Sequence, residues 1–138
     1  MDAAVVREKV RSSMPRVLAD LERMVAVPSC AFPGYPPEPV HEMAGLTAEL
    51  CRAAGFADAR AMDVPDGYPP VYAEVPGPEG SPVVALYAHY DIQPAPPVQG
   101  WTTDPWTATR KDDGRSTDAA PPTTKPAWWC TRARWTLG

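Results

Sequence analysis

The sequence predicts an α/β fold, because two amphipathic helical patterns are followed by three short segments that are rich in strand-forming residues. A chain of 138 residues, of which 44% are hydrophobic, has room for one domain with a modest core. Its 19 prolines make up roughly 14% of the chain, against roughly 5% in average proteins. Regular structure should therefore be interrupted often.

The first helical pattern covers residues 3–27. Apolar side chains recur there at three- and four-residue spacing, at Val10, Met14, Val17, Leu18, Leu21, Met24 and Val25. Pro15 interrupts the pattern and leaves two alternatives. Either the helix is kinked at Pro15, or Ser12 or Ser13 caps a second helix that has Pro15 in its first turn.

The second helical pattern runs from about Pro39 to Ala54 and follows a loop rich in proline and glycine. Its predicted buried stripe consists of Val40, Met43, Leu46 and Leu50. Gly55 suits the position just beyond the end of a helix. His41 lies within this helix and is assigned to packing or to the surface rather than to metal binding.

Three strands are predicted after the helices: Ala59–Val64, Val71–Val75 and Val83–Ala88. The last is continuously apolar, which is typical of a strand buried on both faces. Residues 76–82 are expected to form the hairpin loop between the second and third strands. If its partner strands are missing, the third strand becomes an aggregation-prone edge, and poor solubility is expected.

Composition excludes several classes of function. The net charge of -4 and the pI near 5.1 argue against nucleic acid or an anionic membrane as the main partner. No stretch has the apolar length of a membrane span, and the charged N-terminus does not resemble a secretory signal, so a cytoplasmic location is expected. The cysteines, Cys30, Cys51 and Cys130, form no C-x-x-C pair, which argues against both a disulfide framework and a thiolate zinc cluster.

His89 and Asp91 follow the third predicted strand directly, and this H-x-D pair is the candidate site. Side chains two residues apart on an extended chain point the same way. Neutral imidazole is a good zinc ligand, and a nearby carboxylate can orient it. The spacing alone is a weak signal for a metal and favours the plainer alternative, a solvated strand end.

The sequence around this pair resembles the first zinc motif of peptidase family M twenty. The residues that carry the resemblance are Ala85-Leu86-Tyr87-Ala88-His89-Tyr90-Asp91-Ile92-Gln93-Pro94. Two further segments are similar to the family, the Gly100–Trp106 segment after the motif and the Leu21–Ser29 helix exit before it. The family comprises dinuclear zinc enzymes, among them carnosine-type dipeptidases, aminoacylases and amino-acid desuccinylases.

The resemblance implies the N-terminal part of a three-layer zinc-peptidase domain with a mostly parallel sheet, truncated here. It implies that His89 ligates one zinc ion, and that Asp91 steadies the site and influences the catalytic base. Intact members hold two zinc ions and hydrolyse amides of small peptides or N-acyl amino acids. At most one ligand is supplied by this chain, and a homodimer is expected only of a full-length protein.

The resemblance stops after Arg115, where the family motif L-Y-G-R-G-A-A-D-D-K-A-G is expected and is not found. The codons for residues 116–131, moved back by one nucleotide, can encode L-Y-G-R-G-A-A-D-D-K-A-G-V-V-V-H. We therefore predict a frameshift near codon 116. Residues 1–115 would be part of the catalytic domain, and residues 116–138 a disordered, out-of-frame tail.

Two functional classes follow from the sequence. The first is a metal-dependent dipeptidase, represented by an inactive fragment. The second is a small non-enzymatic binding or structural protein built around proline-rich loops such as Pro94-Ala95-Pro96-Pro97. Under the frameshift hypothesis the aromatic residues of the tail, Trp128, Trp129 and Trp135, need no binding role.

Overall fold

The first helix is continuous through Pro15. The computed structural model describes residues 2–95 and 100–110, and the backbone of residues 116 and 117. Helix α1 spans Ala3–Val25, close to the predicted range, and the carboxylate of Asp2 caps it by accepting from the Ala4 N–H at 2.9 Å. Pro15 has no N–H, so the helix lacks one internal hydrogen bond at that turn.

The two serines before Pro15 do not begin a new helix. The Ser12 hydroxyl donates to the carbonyl oxygen of Lys9, and the Ser13 hydroxyl to that of Val10, each at 3.0 Å. These are bonds to the preceding turn of the same helix, whereas a cap would accept from an N–H of the next turn. The alternative of a second, serine-capped helix is therefore wrong.

Helix α2 spans Glu38–Ala53 and ends in a Schellman motif. The Gly55 N–H donates to the Arg52 carbonyl at 3.0 Å, and the Phe56 N–H donates to the Cys51 carbonyl at 3.1 Å. Gly55 has a φ of 106°, a conformation that glycine adopts at low cost. The predicted helix and its glycine terminator are both confirmed.

The core lies where the end of α1 packs against α2. Its buried cluster contains Met24, Val27, Met43 and Leu50, with Leu46 and Tyr90 packed against it. Arg23 also bridges the helices through Glu49, with nitrogen–oxygen distances of 2.9 and 3.1 Å. Both of these side chains are about half exposed, so apolar burial rather than the ion pair holds the helices together.

The strands are only two residues long. β1 (Arg60–Ala61) pairs antiparallel with β2 (Val71–Tyr72), with Arg60 opposite Tyr72. β3 (Thr109–Arg110) pairs antiparallel with β4 (Ser116–Thr117). The first two predicted strands are therefore present but shorter than expected, and Thr109–Arg110 is a strand that the sequence did not predict.

The third predicted strand, Val83–Ala88, is not formed. Val83 is 95% exposed and Tyr87 is 89% exposed, the opposite of burial on both faces. Within the part of the chain that the structure describes, no backbone hydrogen bond involves residues 83–88. A strand is defined by its pairing with a neighbour, and apolar composition cannot replace that neighbour. The predicted hairpin over residues 76–82 is wrong for the same reason.

The mostly parallel sheet is not seen in residues 2–95, 100–110 and 116–117. Both ladders there are antiparallel, and the parallel pairing is a single bridge between Cys30 and Ile92. The three-layer arrangement stays a prediction. Residues 118–138, which form most of the predicted tail, lie outside the described residues. Neither described helix is long and apolar enough to cross a membrane.

Thr47 offers a test of the α2 packing. Its side chain is 2% exposed, and its hydroxyl has no hydrogen-bond partner among the described residues. Thr47→Val keeps the shape and removes the unpaired group, so the free energy of unfolding should rise by about 1 kcal/mol. Urea denaturation followed by circular dichroism measures this. Thr102→Val, at an exposed position, should change nothing, and an equal gain in both variants would contradict the explanation.

The exposed segment over residues 83–88 predicts a solubility effect. It is apolar and uncharged, and it lacks backbone partners in the described structure, all features of aggregation-prone segments. Leu86→Lys should lower the rate of aggregation at least about threefold, because one lysine on a strand edge opposes edge-to-edge pairing. Light scattering at fixed protein concentration gives the rate.

Val5→Lys is the matched control for this prediction. Val5 and Leu86 are both 51% exposed, but Val5 lies on helix α1 and not in an unpaired extended segment. A helical residue offers no open strand edge to a second chain. An equal reduction in aggregation by both lysines would show that net charge, and not the segment, is responsible.

Candidate functional site

The site is built where two distant parts of the chain meet. The residues after α1 lie beside the residues around Ile92, and the Ile92 N–H donates to the Ser29 carbonyl at 3.0 Å. The parallel bridge joins Cys30 to Ile92, and both residues are almost completely buried. This pairing fixes the segment that carries His89 and Asp91 against the end of the first helix.

Two hydroxyl groups hold Tyr90, the residue between the histidine and the aspartate. The fully buried Ser29 donates its hydroxyl to the Tyr90 carbonyl at 3.1 Å. The Tyr90 hydroxyl in turn donates to the Pro69 carbonyl at 2.6 Å. Burial raises the pKa of the Tyr90 phenol, and the nearby Asp91 carboxylate adds to this effect, so the hydroxyl stays protonated and able to donate.

His89 and Asp91 contact each other directly. The His89 Nδ1 lies 3.1 Å from the Asp91 Oδ1 and 3.1 Å from the Asp91 carbonyl oxygen. A carboxylate and a carbonyl only accept hydrogen bonds, so Nδ1 carries the proton. In the neutral ring Nε2 then has a free lone pair, and the two side chains are 37% and 39% exposed.

This geometry fits one histidine ligand of a zinc site. Histidines that bind metals usually do so through one nitrogen while the other donates to a carboxylate or a carbonyl, and here both acceptors come from Asp91. Among residues 2–95 and 100–110, however, no three His, Cys, Asp or Glu side chains gather at one point. Among the described residues, His89 is a single candidate ligand, and the roles of His89 and Asp91 stay predictions.

Cys30 lies close to the pair but is a poor ligand. Burial raises the pKa of its thiol, the Asp91 carboxylate raises it further, and a hydrogen bond with the Phe32 backbone opposes both. Zinc binds the thiolate, so a thiol with a raised pKa binds it weakly. Among the described residues neither Cys30 nor Cys51 forms a disulfide, and Cys51 is half-buried.

The other candidate residues do not join the site. His41 is exposed on α2, and its ring meets the Tyr68 ring edge-on, with centroids 6.1 Å apart. The predicted packing or surface role is therefore confirmed. Trp101 and Trp106 are half-buried and line a shallow recess with Asp104, and neither His89 nor Asp91 belongs to its walls.

The sequence indicated the His89–Asp91 pair but not the two hydroxyls that hold it. Ser29 was assigned only to the end of the first helix, although its partner Tyr90 lies 61 residues further along the chain. For Tyr90 the sequence predicts membership of the zinc motif and no role of its own. A pairing between distant segments leaves no periodic signal, so local patterns could not have found either role.

Comparison with known proteins shows that the sequence of this chain is similar to those of dipeptidases. Over 103 residues the chain is 33% identical to the Beta-Ala-His dipeptidase of Mus musculus, covering 67% of this chain and 21% of that protein. Over 117 residues it is 34% identical to the Cys-Gly metallodipeptidase dug1 of Schizosaccharomyces pombe, covering 83% of this chain and 23% of that protein. No family model matches the chain.

Solved structures give the same result for the fold. The human carnosine dipeptidase 1 matches with a TM-score of 0.77 and 22% identity, over 96% of this chain and 31% of that one. The di-peptidase Dug1p of Saccharomyces cerevisiae matches with a TM-score of 0.67 and 22% identity, over 78% of this chain and 25% of that one. The homologues are thus metallodipeptidases, the fold is that of part of an α/β peptidase domain, and the chain spans about a fifth of the curated relatives' length.

Proposed function

We propose that this chain supplies the first metal-binding segment of a zinc-dependent dipeptidase. The observation that carries the proposal is the His89 imidazole, whose Nδ1 is engaged by Asp91 so that Nε2 is free for a metal. The homology to metallodipeptidases supports the same chemistry. The proposed substrates are dipeptides, and related N-acyl amino acids are the wider class.

Each residue of the pair has a distinct role in this proposal. His89 would hold the ion through Nε2, and Asp91 would fix the tautomer and the orientation of the ring, and raise its basicity. When bound, zinc polarises the amide carbonyl and lowers the pKa of a bound water molecule. Proton transfer needs a general base, and we propose that this base and the remaining ligands are not supplied by residues 1–115.

We further propose that the missing ligands are encoded in the alternative frame from codon 116. The alternative frame can encode the family motif L-Y-G-R-G-A-A-D-D-K-A-G at the positions from Ser116 to Ala127. By the resemblance, this motif contains the aspartate that bridges the two zinc ions. On this proposal the 138-residue chain is inactive, because one histidine ligand cannot assemble a dinuclear centre.

The decisive experiment has two stages. The nucleotide sequence around codon 116 is determined first, and a stop codon directly after the frame change would remove the frameshift proposal. The frame-restored protein and the 138-residue chain are then assayed with zinc on a dipeptide. Hydrolysis by the restored protein alone is the expected result. Hydrolysis by the short chain would overturn the account of its missing ligands.

A further inference from the structure

We infer that the hydroxyls of Ser29 and Tyr90 form a clamp that positions His89 and Asp91 for metal binding, an inference that rests on the proposed function. The clamp is defined by the two bonds described above, from Ser29 to the Tyr90 carbonyl and from Tyr90 to the Pro69 carbonyl. Neither hydroxyl faces the metal in this proposal. Ser29 and Tyr90 are therefore positioning residues.

The bonds act on the peptide groups that flank Asp91. The Tyr90 carbonyl belongs to the peptide that enters Asp91, and the Ser29 hydroxyl holds it at 3.1 Å. The Ile92 N–H belongs to the peptide that leaves Asp91, and the Ser29 carbonyl holds it at 3.0 Å. One residue, Ser29, thus fixes both peptide planes on either side of the aspartate, and Asp91 in turn fixes the His89 ring.

The preceding segment gives the site no comparable support. Residues 83–88 make no backbone hydrogen bond in the described structure, and most of them are strongly exposed. The orientation of His89 must then come from the residues after it and from the buried elements that they contact. Without such restraints a ligand samples many orientations, and ordering it upon binding costs entropy.

The hydrogen bonds of the clamp are partly buried. Ser29 is 0% exposed, and Tyr90 packs against the cluster of α1 and α2 side chains. Removing either hydroxyl leaves a carbonyl oxygen that has lost its partner in the protein, which is costly for buried groups. The clamp should therefore be occupied nearly all the time in the folded chain.

The test uses NMR on the metal-free 138-residue chain, with Ser29→Ala and Tyr90→Phe as variants. Two readouts are measured: the hydrogen exchange of the Ile92 amide, and the tautomer of the neutral His89 ring at one fixed pH. Each variant should speed the Ile92 exchange about fivefold, since one hydrogen bond is lost. The share of the His89 ring protonated at Nδ1 should fall as well.

The chain contains its own controls. His41, the other of its two histidines, lies on α2 and should keep its tautomer in every variant. Ser12→Ala removes a hydroxyl-to-carbonyl bond from an exposed part of α1 and should change neither readout. The Leu50 amide, which lies in the core, reports global opening, so its exchange rate measures how much stability each variant loses.

Two results would overturn the clamp. One is an unchanged Ile92 exchange and an unchanged His89 tautomer in both variants. The other is faster exchange of the Ile92 amide with an unchanged His89 tautomer, which would mean that Ser29 and Tyr90 only stabilise the fold. If Ser29→Ala does not fold, Tyr90→Phe decides the question alone. Because no metal or substrate is present, the outcome is separate from that of the dipeptidase assay.

Discussion

His89→Ala in the frame-restored protein should lower kcat/KM for a dipeptide by more than about 100-fold. Loss of an outer partner of a metal ligand typically costs 10–100-fold in affinity or activity, and loss of the ligand itself should cost more. Asp91→Asn should lower kcat/KM by about 10–100-fold, because the amide oxygen still accepts a hydrogen bond but lacks the negative charge. Initial rates at fixed zinc concentration give both values.

His41→Ala is the control for these variants. His41 is the second histidine of the chain, it is exposed on α2, and its contact is an edge-on ring pair with Tyr68. Its removal should change kcat/KM less than about twofold, since surface substitutions have small effects. If His89→Ala kept more than a tenth of the activity at the same zinc concentration, His89 would not be the metal ligand.

The helices could be predicted because their signals are local. The apolar spacing of Val40, Met43 and Leu50 identified α2, and all three are buried as expected. Gly55 identified its end, because a positive φ is required within a few residues of the last helical turn. Pro15 left open whether there are one or two helices, and the helix continues because one missing hydrogen bond is outweighed by the other hydrogen bonds of the helix and by the burial of Val17, Met24 and Val25.

The strands could not be predicted in the same way, because each depends on a partner. The first ladder pairs Arg60–Ala61 with Val71–Tyr72, and each strand is only as long as this pairing. Val83–Ala88 has the more typical strand composition, but it pairs with no other segment among the described residues and is irregular and mostly exposed. Strand propensity describes fitness for a paired, half-buried surface, and such a surface is supplied by other parts of the chain.

In the candidate site, too, local contacts could be predicted from the sequence and contacts between distant segments could not. His89 and Asp91 are two residues apart, so their direct hydrogen bond could be anticipated from spacing. Ser29 reaches Tyr90 across 61 residues, and only the folded chain brings the two together. A resemblance to a family can name the ligand, but the groups that orient the ligand emerge from tertiary structure.

Met43→Ala should lower the free energy of unfolding by about 2–5 kcal/mol. Met43 is fully buried at the centre of the α1–α2 cluster, and truncating such a side chain costs the lost burial plus the cavity that remains. Small domains are stable by only about 5–15 kcal/mol, so this single change should remove a large share of the total. Urea denaturation followed by circular dichroism at the helical band measures the loss.

Met14→Ala is the matched control, with the same atoms removed from a helical residue that is 38% exposed. Its expected loss is under about 1 kcal/mol, because little burial is lost and alanine is a good helix former. A similar loss in the two variants would mean that the interface between α1 and α2 does not form the core. Since Tyr90 packs against the same cluster, Met43→Ala should also speed exchange of the Ile92 amide, which would connect the packing of the helices to the order of the site.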